Sequence, residues 1–142
     1  MHVTLAHQEE YEGVRALDRL LPGLRDRGEA LRGWIRDGEC WVARLERVLA
    51  GFVVANRSFF AQPFIVLLMV DPTRRRRSVG EALVQHVESH FRPTSSKLFT
   101  STNESNASMH ALYVKRGFVR SGVIENLDEH DPEIVYFKSL TP

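Results

Sequence analysis

The chain has 142 residues, of which 19 are basic and 18 acidic, and its formal net charge is +1. This length suits one hydrophobic core and is too short for two domains of ordinary size, so we expect a single domain over residues 1–142. The near-neutral charge excludes a global electrostatic attraction to nucleic acid or to an anionic membrane, and we expect neither as a partner.

Cysteine content and hydropathy indicate the compartment. Cys40 is the only cysteine, which excludes an internal disulfide and favours a reducing compartment. The N-terminal residues lack the basic flank and apolar segment of a signal peptide, and no apolar run has the length of a membrane span. We therefore predict a cytoplasmic protein in which Cys40 is a small buried hydrophobe rather than a nucleophile.

Apolar spacing and turn residues predict the elements of the first half. They are a strand over 2–6, a helix over 9–21 that ends at Pro22-Gly23, a helix that ends near Gly38, and strands over 40–47 and 49–56. The second helix has one apolar face, formed by Ala30, Leu31, Trp34 and Ile35. A large aromatic on such a face, here Trp34, is more often part of the core than of an acceptor pocket.

Three phenylalanines follow the second of these strands. Phe59 and Phe60 lie in a predicted loop over 58–63, and Phe64 follows it. Exposed aromatic side chains on a loop indicate an acceptor wall or a dimer contact, whereas the same rings could equally pack back onto the core. The run from 64 to 70 is apolar without alternation, which predicts a central strand covered on both faces.

The apolar strand ends in a basic turn. Asp71-Pro72 breaks the strand, residues 74–77 are all arginine, and a helix begins near Ser78. The first N–H groups of that helix have no partner within it, Gly80 allows a phosphate to approach the backbone, and arginines add forked donors. The stretch therefore predicts either a pyrophosphate site or an ordinary capped helix beside a solvated basic turn.

The helix from 78 to 91 leads to a strand over 97–102, which predicts a parallel strand-helix-strand unit. The next helix carries Asn106 and Tyr113, which are seven residues apart and therefore share one face, about 10 Å apart along the axis. A plain amphipathic helix explains the same pattern, with Asn106 as its cap and Tyr113 packed beside Met109 and Leu112.

The last two strands, over 118–126 and 133–140, are predicted to form an antiparallel pair. Five carboxylates lie in and beside their connection: Glu125, Asp128, Glu129, Asp131 and Glu133. Such a cluster can attract a cationic amine toward a site, but a solvated acidic turn is the commoner explanation.

Two stretches together resemble a known family. Residues 70–83 have the pattern Val-Asp-Pro-x-x-Arg-x-x-Ser-Val-Gly-x-Ala-Leu, and residues 106–118 read Asn-Ala-Ser-Met-His-Ala-Leu-Tyr-Val-Lys-Arg-Gly-Phe. In order and spacing these motifs resemble those of the Gcn5-related N-acetyltransferases (GNAT), with Ser78 where the family usually has glycine. The resemblance implies an α+β fold with three layers, in which a mixed, mostly antiparallel sheet of about seven strands has a parallel strand-helix-strand unit at its centre.

The resemblance also implies acetyl-coenzyme A as co-substrate and a set of residues that bind it. For the pyrophosphate, the first motif supplies Arg75, Arg76, Arg77, Ser78, Val79, Gly80 and Glu81. Backbone groups of Leu68, Met69 and Val70, freed by a bulge, would contact the pantetheine arm and the oxyanion. The second motif adds Asn106 and Tyr113 beside the pantetheine arm, and Tyr113 would also protonate the departing thiolate.

The general base is the least defined part of the predicted site. Many relatives carry a glutamate on one of the two central strands, whereas neither strand of the parallel unit contains a carboxylate here. Glu104, just past the second of these strands, is the first candidate; a water held by Ser101 or Thr102, or a carboxylate of the last hairpin, comes next. His110 is predicted to be exposed and no base. No metal is expected, because the histidines lack ligand spacing.

These features predict an N-acetyltransferase that moves an acetyl group from acetyl-coenzyme A to a primary amine by direct attack in a ternary complex. The alternative is a non-catalytic acyl-coenzyme A binding module on the same fold, which the missing strand carboxylate supports. Nucleic-acid binding through the four arginines is a weaker third reading, and its steep salt dependence would separate it from a coenzyme A site. The acceptor is a small-molecule or peptide amine, and the sequence leaves open whether two copies form a homodimer.

Overall fold

The computed structural model describes residues 1–20, 26–74 and 78–142. Its strands are β1 His2–Leu5, β2 Cys40–Leu45, β3 Val48–Phe59, β4 Gln62–Val70, β5 Lys97–Asn103, β6 Val119–Ile124 and β7 Glu133–Ser139. Its helices are α1 Tyr11–Asp18, α2 Gly28–Arg36, α3 Val79–Phe91 and α4 Ala107–Lys115. Short 3-10 turns cover Gln8–Glu10 and Pro72–Arg74.

The strands form one seven-stranded sheet in the order β1-β2-β3-β4-β5-β7-β6. β4 and β5 are parallel, with Phe64 opposite Phe99 and Ile65 opposite Thr100. The pairs β1–β2, β2–β3, β5–β7 and β6–β7 are antiparallel. Parallel neighbours need a long crossover, which α3 provides between β4 and β5. The predicted mixed sheet with a central parallel unit is confirmed.

Two compact units make up the chain. Unit 1 comprises Met1–Ala55 and Leu67–His86, and unit 2 comprises Asn56–Val66 and Val87–Pro142. Each unit has buried apolar side chains of its own. Those of unit 1 include Val14, Leu31, Phe52 and Leu83, and those of unit 2 include Ile65, Leu98, Tyr113 and Ile134.

Two tight hairpins connect β2 to β3 and β3 to β4. Glu46 and Arg47 form the turn of the first hairpin and have φ values of 50° and 71°. The predicted loop over 58–63 is wrong, because only Phe60 and Ala61 separate β3 from β4. Both have positive φ, 52° and 63°, which glycine and asparagine usually adopt in such turns. Since neither residue is a turn signal, the sequence pattern did not reveal this hairpin.

α1 ends earlier than the apolar spacing predicts. Its last residue is Asp18, and the predicted Pro22-Gly23 stop falls in residues 21–25, outside the described part of the chain. Asp18 is buried and accepts two hydrogen bonds from the Arg27 guanidinium, at 2.7 and 3.1 Å. A bidentate pair of this kind connects the end of α1 to the residue that precedes α2.

α2 buries a narrower face than predicted. Leu31 and Ile35 are buried as expected, whereas Trp34 is half-buried and Ala30 is exposed. Trp34 therefore does not belong to the closed core. No helix within the described ranges is long and apolar enough to cross a membrane.

Cys40 begins β2 and is fully buried, as predicted. Burial, with a smaller contribution from the negative charge of Glu10, raises the pKa of the Cys40 thiol to about 12. Since the thiolate is the reactive form, this thiol is a poor nucleophile at neutral pH. Its contribution is that of a small apolar side chain.

Candidate active site

The turn after β4 is built on Asp71. Its Oδ1 accepts hydrogen bonds from the Thr73 N–H at 2.9 Å and the Thr73 hydroxyl at 2.8 Å, and these bonds lower the pKa of the Asp71 carboxyl. The Asp71 N–H donates to the Ala50 carbonyl at 2.8 Å, and the Arg74 guanidinium lies 3.6 Å from the same carboxylate. This arrangement fixes the start of the basic turn. Three predicted pyrophosphate ligands lie outside the described residues: Arg75, Arg76 and Arg77.

α3 follows a residue in the left-handed region. Ser78 has φ of 62°, and its carbonyl accepts the Ala82 N–H at 3.0 Å. This conformation costs about 1–2 kcal/mol for residues other than glycine, which explains the usual glycine in the related family. Val79 is buried, whereas Gly80 and Glu81 are half-buried on the first turn. The first N–H groups of a helix generally lack intrahelical acceptors, which makes a helix start suited to bind an anion.

The end of β4 approaches β3 closely at Gly51. A Cβ at this position would lie 2.7 Å from the Met69 carbonyl oxygen and 2.9 Å from Val79 Cγ1. Neither distance is compatible with an undisturbed backbone, so glycine is required for β4 and α3 to pack here. Leu68 and Met69 are buried and Val70 is half-buried. The contacts of these three backbones with pantetheine stay predictions.

We expect Gly51→Ala to lower the free energy of unfolding by about 1–3 kcal/mol, because the added methyl must displace backbone rather than a flexible side chain. Gly122→Ala is the matched control, since Gly122 is also in a strand and a Cβ there meets nothing within 4 Å. Urea unfolding of both variants measures the difference. Equal stabilities of the two variants would contradict the close approach.

Tyr113 has the largest fully buried side chain among the described residues and lies in unit 2. Its hydroxyl is 3.0 Å from the Thr100 hydroxyl, which is also 3.4 Å from the Ile65 carbonyl oxygen. The ring packs at centroid distances of 5.3 Å from Phe118 and 5.7 Å from Tyr136. Ile65 is opposite Thr100 in the parallel ladder, so the hydroxyl lies beside the second of its two pairs.

The surroundings keep the Tyr113 hydroxyl protonated. Burial raises the pKa of Tyr113 to about 12; the hydrogen bond with Thr100 opposes this shift, and the negative charge of Glu133 adds to it. A tyrosine with this pKa carries its proton throughout the neutral range. It can therefore donate a hydrogen bond or a proton to an anion formed beside it.

The raised pKa of Tyr113 also predicts alkaline instability. The unfolded value is near 10, so the contribution of this tyrosine to stability is complete below pH 10 and is lost as the pH rises through 12. About two pKa units correspond to a loss of about 3 kcal/mol. We expect denaturant unfolding to show this loss in the wild type and not in Tyr113→Phe, while Cys40 titrates in both. Parallel losses in the two proteins would contradict the assignment.

Asn106 is the cap of α4, as one of the two sequence interpretations predicts. Its side-chain oxygen accepts the Met109 N–H at 3.3 Å and the Ser108 hydroxyl at 3.1 Å. The residue is exposed, so capping leaves its amide accessible to solvent. Asn106 can therefore cap α4 and also contact pantetheine. The contact with pantetheine stays a prediction.

His110 is half-buried, and the prediction that it is exposed is wrong. Its Nε2 lies 3.1 Å from the Asn103 carbonyl oxygen and 3.0 Å from that of Glu104, and its Nδ1 is 2.6 Å from the Tyr136 hydroxyl. Since carbonyl oxygens only accept, Nε2 carries the hydrogen, and in the neutral ring Nδ1 accepts from Tyr136. His110 thus joins the end of β5, α4 and β7.

The structure distinguishes the three candidates for the general base. Glu104 is exposed, and its N–H donates to the Pro132 carbonyl at 2.8 Å. Thr102 is buried, which disfavours it as the holder of an exchangeable water. Ser101 and Glu133 are both half-buried, and the Ser101 hydroxyl donates to Glu133 Oε2 at 2.7 Å. Two of the sequence-based candidates, the serine that could hold a water and a carboxylate of the last hairpin, are therefore hydrogen-bonded to each other.

The acidic connection between β6 and β7 is only partly a solvated turn. Asp131 accepts hydrogen bonds from the Ser105 N–H at 3.0 Å and the Ser105 hydroxyl at 2.6 Å, and Asp128 accepts one from the Asn103 amide at 2.8 Å. Glu129 is exposed beside His130. Two of the five carboxylates therefore connect this turn to the last residue of β5 and to the segment that follows it. Within the described residues, no group of three or more metal-ligating side chains could hold a metal ion.

A buried ion cluster fixes the end of α4. Glu88 is 2% exposed, and its Oε1 accepts hydrogen bonds from Arg116 Nη2 and Lys138 Nζ, each at 2.9 Å. Arg116 follows Tyr113 by one helical turn. A buried carboxylate needs partners of this kind, and their contacts join α3, α4 and β7 within unit 2.

The sequence model of the Acetyltransferase (GNAT) family matches residues 7–118, which is more than half of the chain. The chain belongs to the GNAT acetyltransferase family. A GNAT-family acetyltransferase from Bacillus cereus ATCC 10987 is 35% identical, with 97% of this chain and 96% of that chain covered and a TM-score of 0.90. No curated protein matches this GNAT chain significantly.

Two more distant structures share the GNAT fold. The ribosomal-protein-S18-alanine N-acetyltransferase from Escherichia coli is 15% identical, with 99% of this chain and 94% of that chain covered and a TM-score of 0.82. An aminoglycoside 6′-N-acetyltransferase complexed with coenzyme A is 18% identical, with 100% and 98% covered and a TM-score of 0.83. At these identities the likeness concerns the fold.

The predicted site residues of this GNAT chain divide between the two units. The described cofactor residues of unit 1 are Leu68, Met69, Val70, Ser78, Val79, Gly80 and Glu81, and unit 2 contains Glu104, Asn106 and Tyr113. Sequence reasoning missed Gly51, Thr100 and Glu88. A glycine inside a strand is a known sign of close approach, and a glutamate on the apolar face of α3 is a sign of a buried ion pair. Thr100 carries no such signal.

Proposed function

We propose that this GNAT protein transfers the acetyl group of acetyl-coenzyme A to a primary amine by direct attack in a ternary complex. The observation that carries the proposal is the Tyr113 hydroxyl, which is fixed beside Thr100 in the parallel unit of the sheet, three residues before the carboxyl end of β5. Ligands of sheets with parallel strands bind outside the carboxyl ends of those strands. The structural likeness to an acetyltransferase complexed with coenzyme A supports the same co-substrate here.

Tyr113 is the general acid of this proposal. When the C–S bond breaks, negative charge develops on sulfur, and a preorganised hydroxyl in a buried site stabilises that charge. A free thiol has a pKa near 8.5, so an acid with a pKa of about 12 does not protonate it readily in water. Tyr113 therefore acts mainly by hydrogen-bonding the sulfur as it leaves, and complete proton transfer requires that burial raise the pKa of the thiol too.

The cofactor half of the proposal rests on the first turn of α3. Gly80 and Glu81 are half-buried there and Val79 is buried, so the turn presents its backbone N–H groups beside a basic segment. A helix N-terminus binds phosphate through such groups, and arginine adds charge-assisted hydrogen bonds. Arg75, Arg76, Arg77 and Ser78 complete the proposed pyrophosphate ligands.

The amine acceptor and turnover can be tested together. Free thiol is measured with acetyl-coenzyme A and a panel of primary amines that includes a diamine, an amino acid, an arylalkylamine, an aminoglycoside and a peptide N-terminus. Amine-dependent thiol release is the expected result. Saturable coenzyme A binding without thiol release for any amine would favour the non-catalytic module instead.

The acidic connection predicts electrostatic steering of cationic acceptors. Asp128→Asn with Glu129→Gln removes two charges and retains an oxygen that can accept from Asn103. Asp131 is left unchanged, because its carboxylate binds Ser105 twice. We expect the KM for the amine to rise about two- to threefold at low ionic strength and to return to the wild-type value in high salt. A KM equal to that of the wild type at every salt concentration would exclude steering.

A further inference from the structure

One face of the sheet in unit 2 carries aromatic side chains. Even-numbered residues of β5 and β7 pack toward α4, as the contacts of Thr100 and Tyr136 with Tyr113 demonstrate. Side chains alternate along a strand, so the odd-numbered residues lie on the opposite face. There the rings of Phe99 and Phe137 are 5.4 Å apart.

Two residues of the β3–β4 hairpin extend this aromatic cluster. The Phe59 ring lies 5.2 Å from Phe99 and stacks on Phe64 at 4.9 Å with an interplanar angle of 16°. The term aromatic face refers below to Phe59, Phe64, Phe99 and Phe137. All four side chains are half-buried, so the cluster has surface available for another apolar group.

The Ser101–Glu133 pair lies on the same side of the sheet. Ser101 is two residues beyond Phe99 on β5, and Glu133 is four residues before Phe137 on β7. Ser101 donates to Glu133 Oε2 at 2.7 Å, while Oε1 has no hydrogen bond with the described residues. A half-buried carboxylate with one free oxygen beside an apolar surface is suited to a primary ammonium group.

We propose that Glu133, oriented by Ser101, receives the ammonium group of the acceptor and takes its proton, and that the aromatic face binds an aryl or branched alkyl substituent of the same amine. The inference rests on the proposed acetyl transfer and specifies its acceptor. Residues i and i+2 of a strand are about 7 Å apart, which suits an amine and an aryl ring separated by two or three carbons. The acceptor class is therefore arylalkylamines and amino groups next to large apolar side chains.

The reaction balances in atoms and charge. The ammonium gives one proton to Glu133, and the neutral nitrogen forms a C–N bond with the thioester carbonyl. The C–S bond breaks, and the sulfur leaves with the electron pair, hydrogen-bonded by Tyr113, and takes a proton from solvent. The nitrogen loses its second proton to solvent, which also deprotonates Glu133. The products are an amide, coenzyme A and one released proton.

The test compares kcat/KM for 2-phenylethylamine and 1,4-diaminobutane in wild type, Glu133→Gln and Phe99→Ala. We expect the wild type to favour phenylethylamine by at least about 10-fold, as apolar pockets usually discriminate. Glu133→Gln should lose at least about 10-fold in kcat/KM for both amines, and Phe99→Ala should lose the preference while retaining activity with the diamine. Coenzyme A affinity, measured by calorimetry, should be unchanged in both variants.

Glu46→Gln is the control for the change in charge, because Glu46 is exposed in the turn between β2 and β3, in unit 1, and belongs to no proposed site. It should retain wild-type kcat/KM. If Glu104→Gln loses activity and Glu133→Gln does not, the assignment of Glu133 is overturned. A preference for the diamine in the wild type, or a dimer that Phe99→Ala dissociates, would overturn the assignment of the aromatic face. Failure of every amine to release thiol would instead refute the proposed acetyl transfer.

Discussion

Tyr113→Phe is expected to lower kcat by about 10²-fold while the affinity for acetyl-coenzyme A stays within about twofold of the wild type. The substitution removes the hydroxyl beside Thr100 and preserves the ring that packs on Phe118 and Tyr136. General acids contribute about 10²- to 10⁴-fold. We expect the lower end of this range for two reasons. A thiolate is a fair leaving group without assistance, and the pKa of Tyr113 is well above that of a thiol.

Tyr136→Phe is the matched control for this experiment. Tyr136 is buried next to Tyr113, but its hydroxyl is bonded to His110 rather than to Thr100. We expect it to retain kcat within about threefold and to lose about 1 kcal/mol of stability with its hydrogen bond. Donors whose thiol has a lower pKa should be less affected by Tyr113→Phe than the natural donor. Full kcat in Tyr113→Phe, when chemistry limits the rate, would make Tyr113 a packing residue.

Gly80→Val is expected to weaken coenzyme A binding by at least about 10²-fold without unfolding the protein. Gly80 is the second residue of α3 and is half-buried, so a β-branched side chain would occupy the space where the pyrophosphate approaches the backbone. Gly33→Val is the control for helix propensity, since Gly33 also lies inside a helix and its nearest neighbour is a flexible arginine side chain. Calorimetric titration of the folded variants provides the measurement, and unchanged affinity in Gly80→Val would exclude this site for the pyrophosphate.

The arginines of the basic turn should differ in the same assay. Arg74 lies 3.6 Å from Asp71, so part of its charge is used within the turn. We therefore expect Arg75→Ala to reduce coenzyme A affinity more than Arg74→Ala does. An equal loss in both variants would indicate a diffuse electrostatic effect instead of a positioned ligand.

The sheet and its central parallel unit could be predicted because their signals are local. An uninterrupted apolar run, a break at Asp71-Pro72 and a helical period specify β4 and α3 without knowledge of any contact. The hairpin at Phe60–Ala61 could not be predicted, because its residues adopt positive φ without being glycine or asparagine. Tertiary context overrides the local preference there.

The candidate site was only partly predictable for a different reason. Spacing placed Asn106 and Tyr113 on one helical face, yet it did not reveal that the Tyr113 hydroxyl would meet Thr100. Such a contact depends on how the helix packs against strands, which the spacing within the helix does not specify. The exposure of His110 was wrongly predicted and the contacts of Asp131 were not foreseen for the same reason, since their partners lie on other elements.

The proposed general base illustrates how register can join two weak sequence signals. Ser101 and Glu133 each appeared in the sequence as one of several alternatives, 32 residues apart. The antiparallel ladder of β5 and β7 brings them together, because Asn103 is opposite Glu133 and Ser101 is opposite Val135. A sequence that lacks a carboxylate on the two central strands can thus acquire one from β7.

The measurement that tests the account most directly follows the acetyl group itself. Wild-type protein is mixed with acetyl-coenzyme A labelled in the acetyl carbonyl and with the best amine of the panel, and thiol, labelled amide and intact protein are quantified by mass spectrometry. Direct attack in a ternary complex predicts equal amounts of thiol and labelled amide, intersecting initial-rate lines and unlabelled protein. Thiol release without amide, or label that appears on the protein before the amide forms, would contradict it.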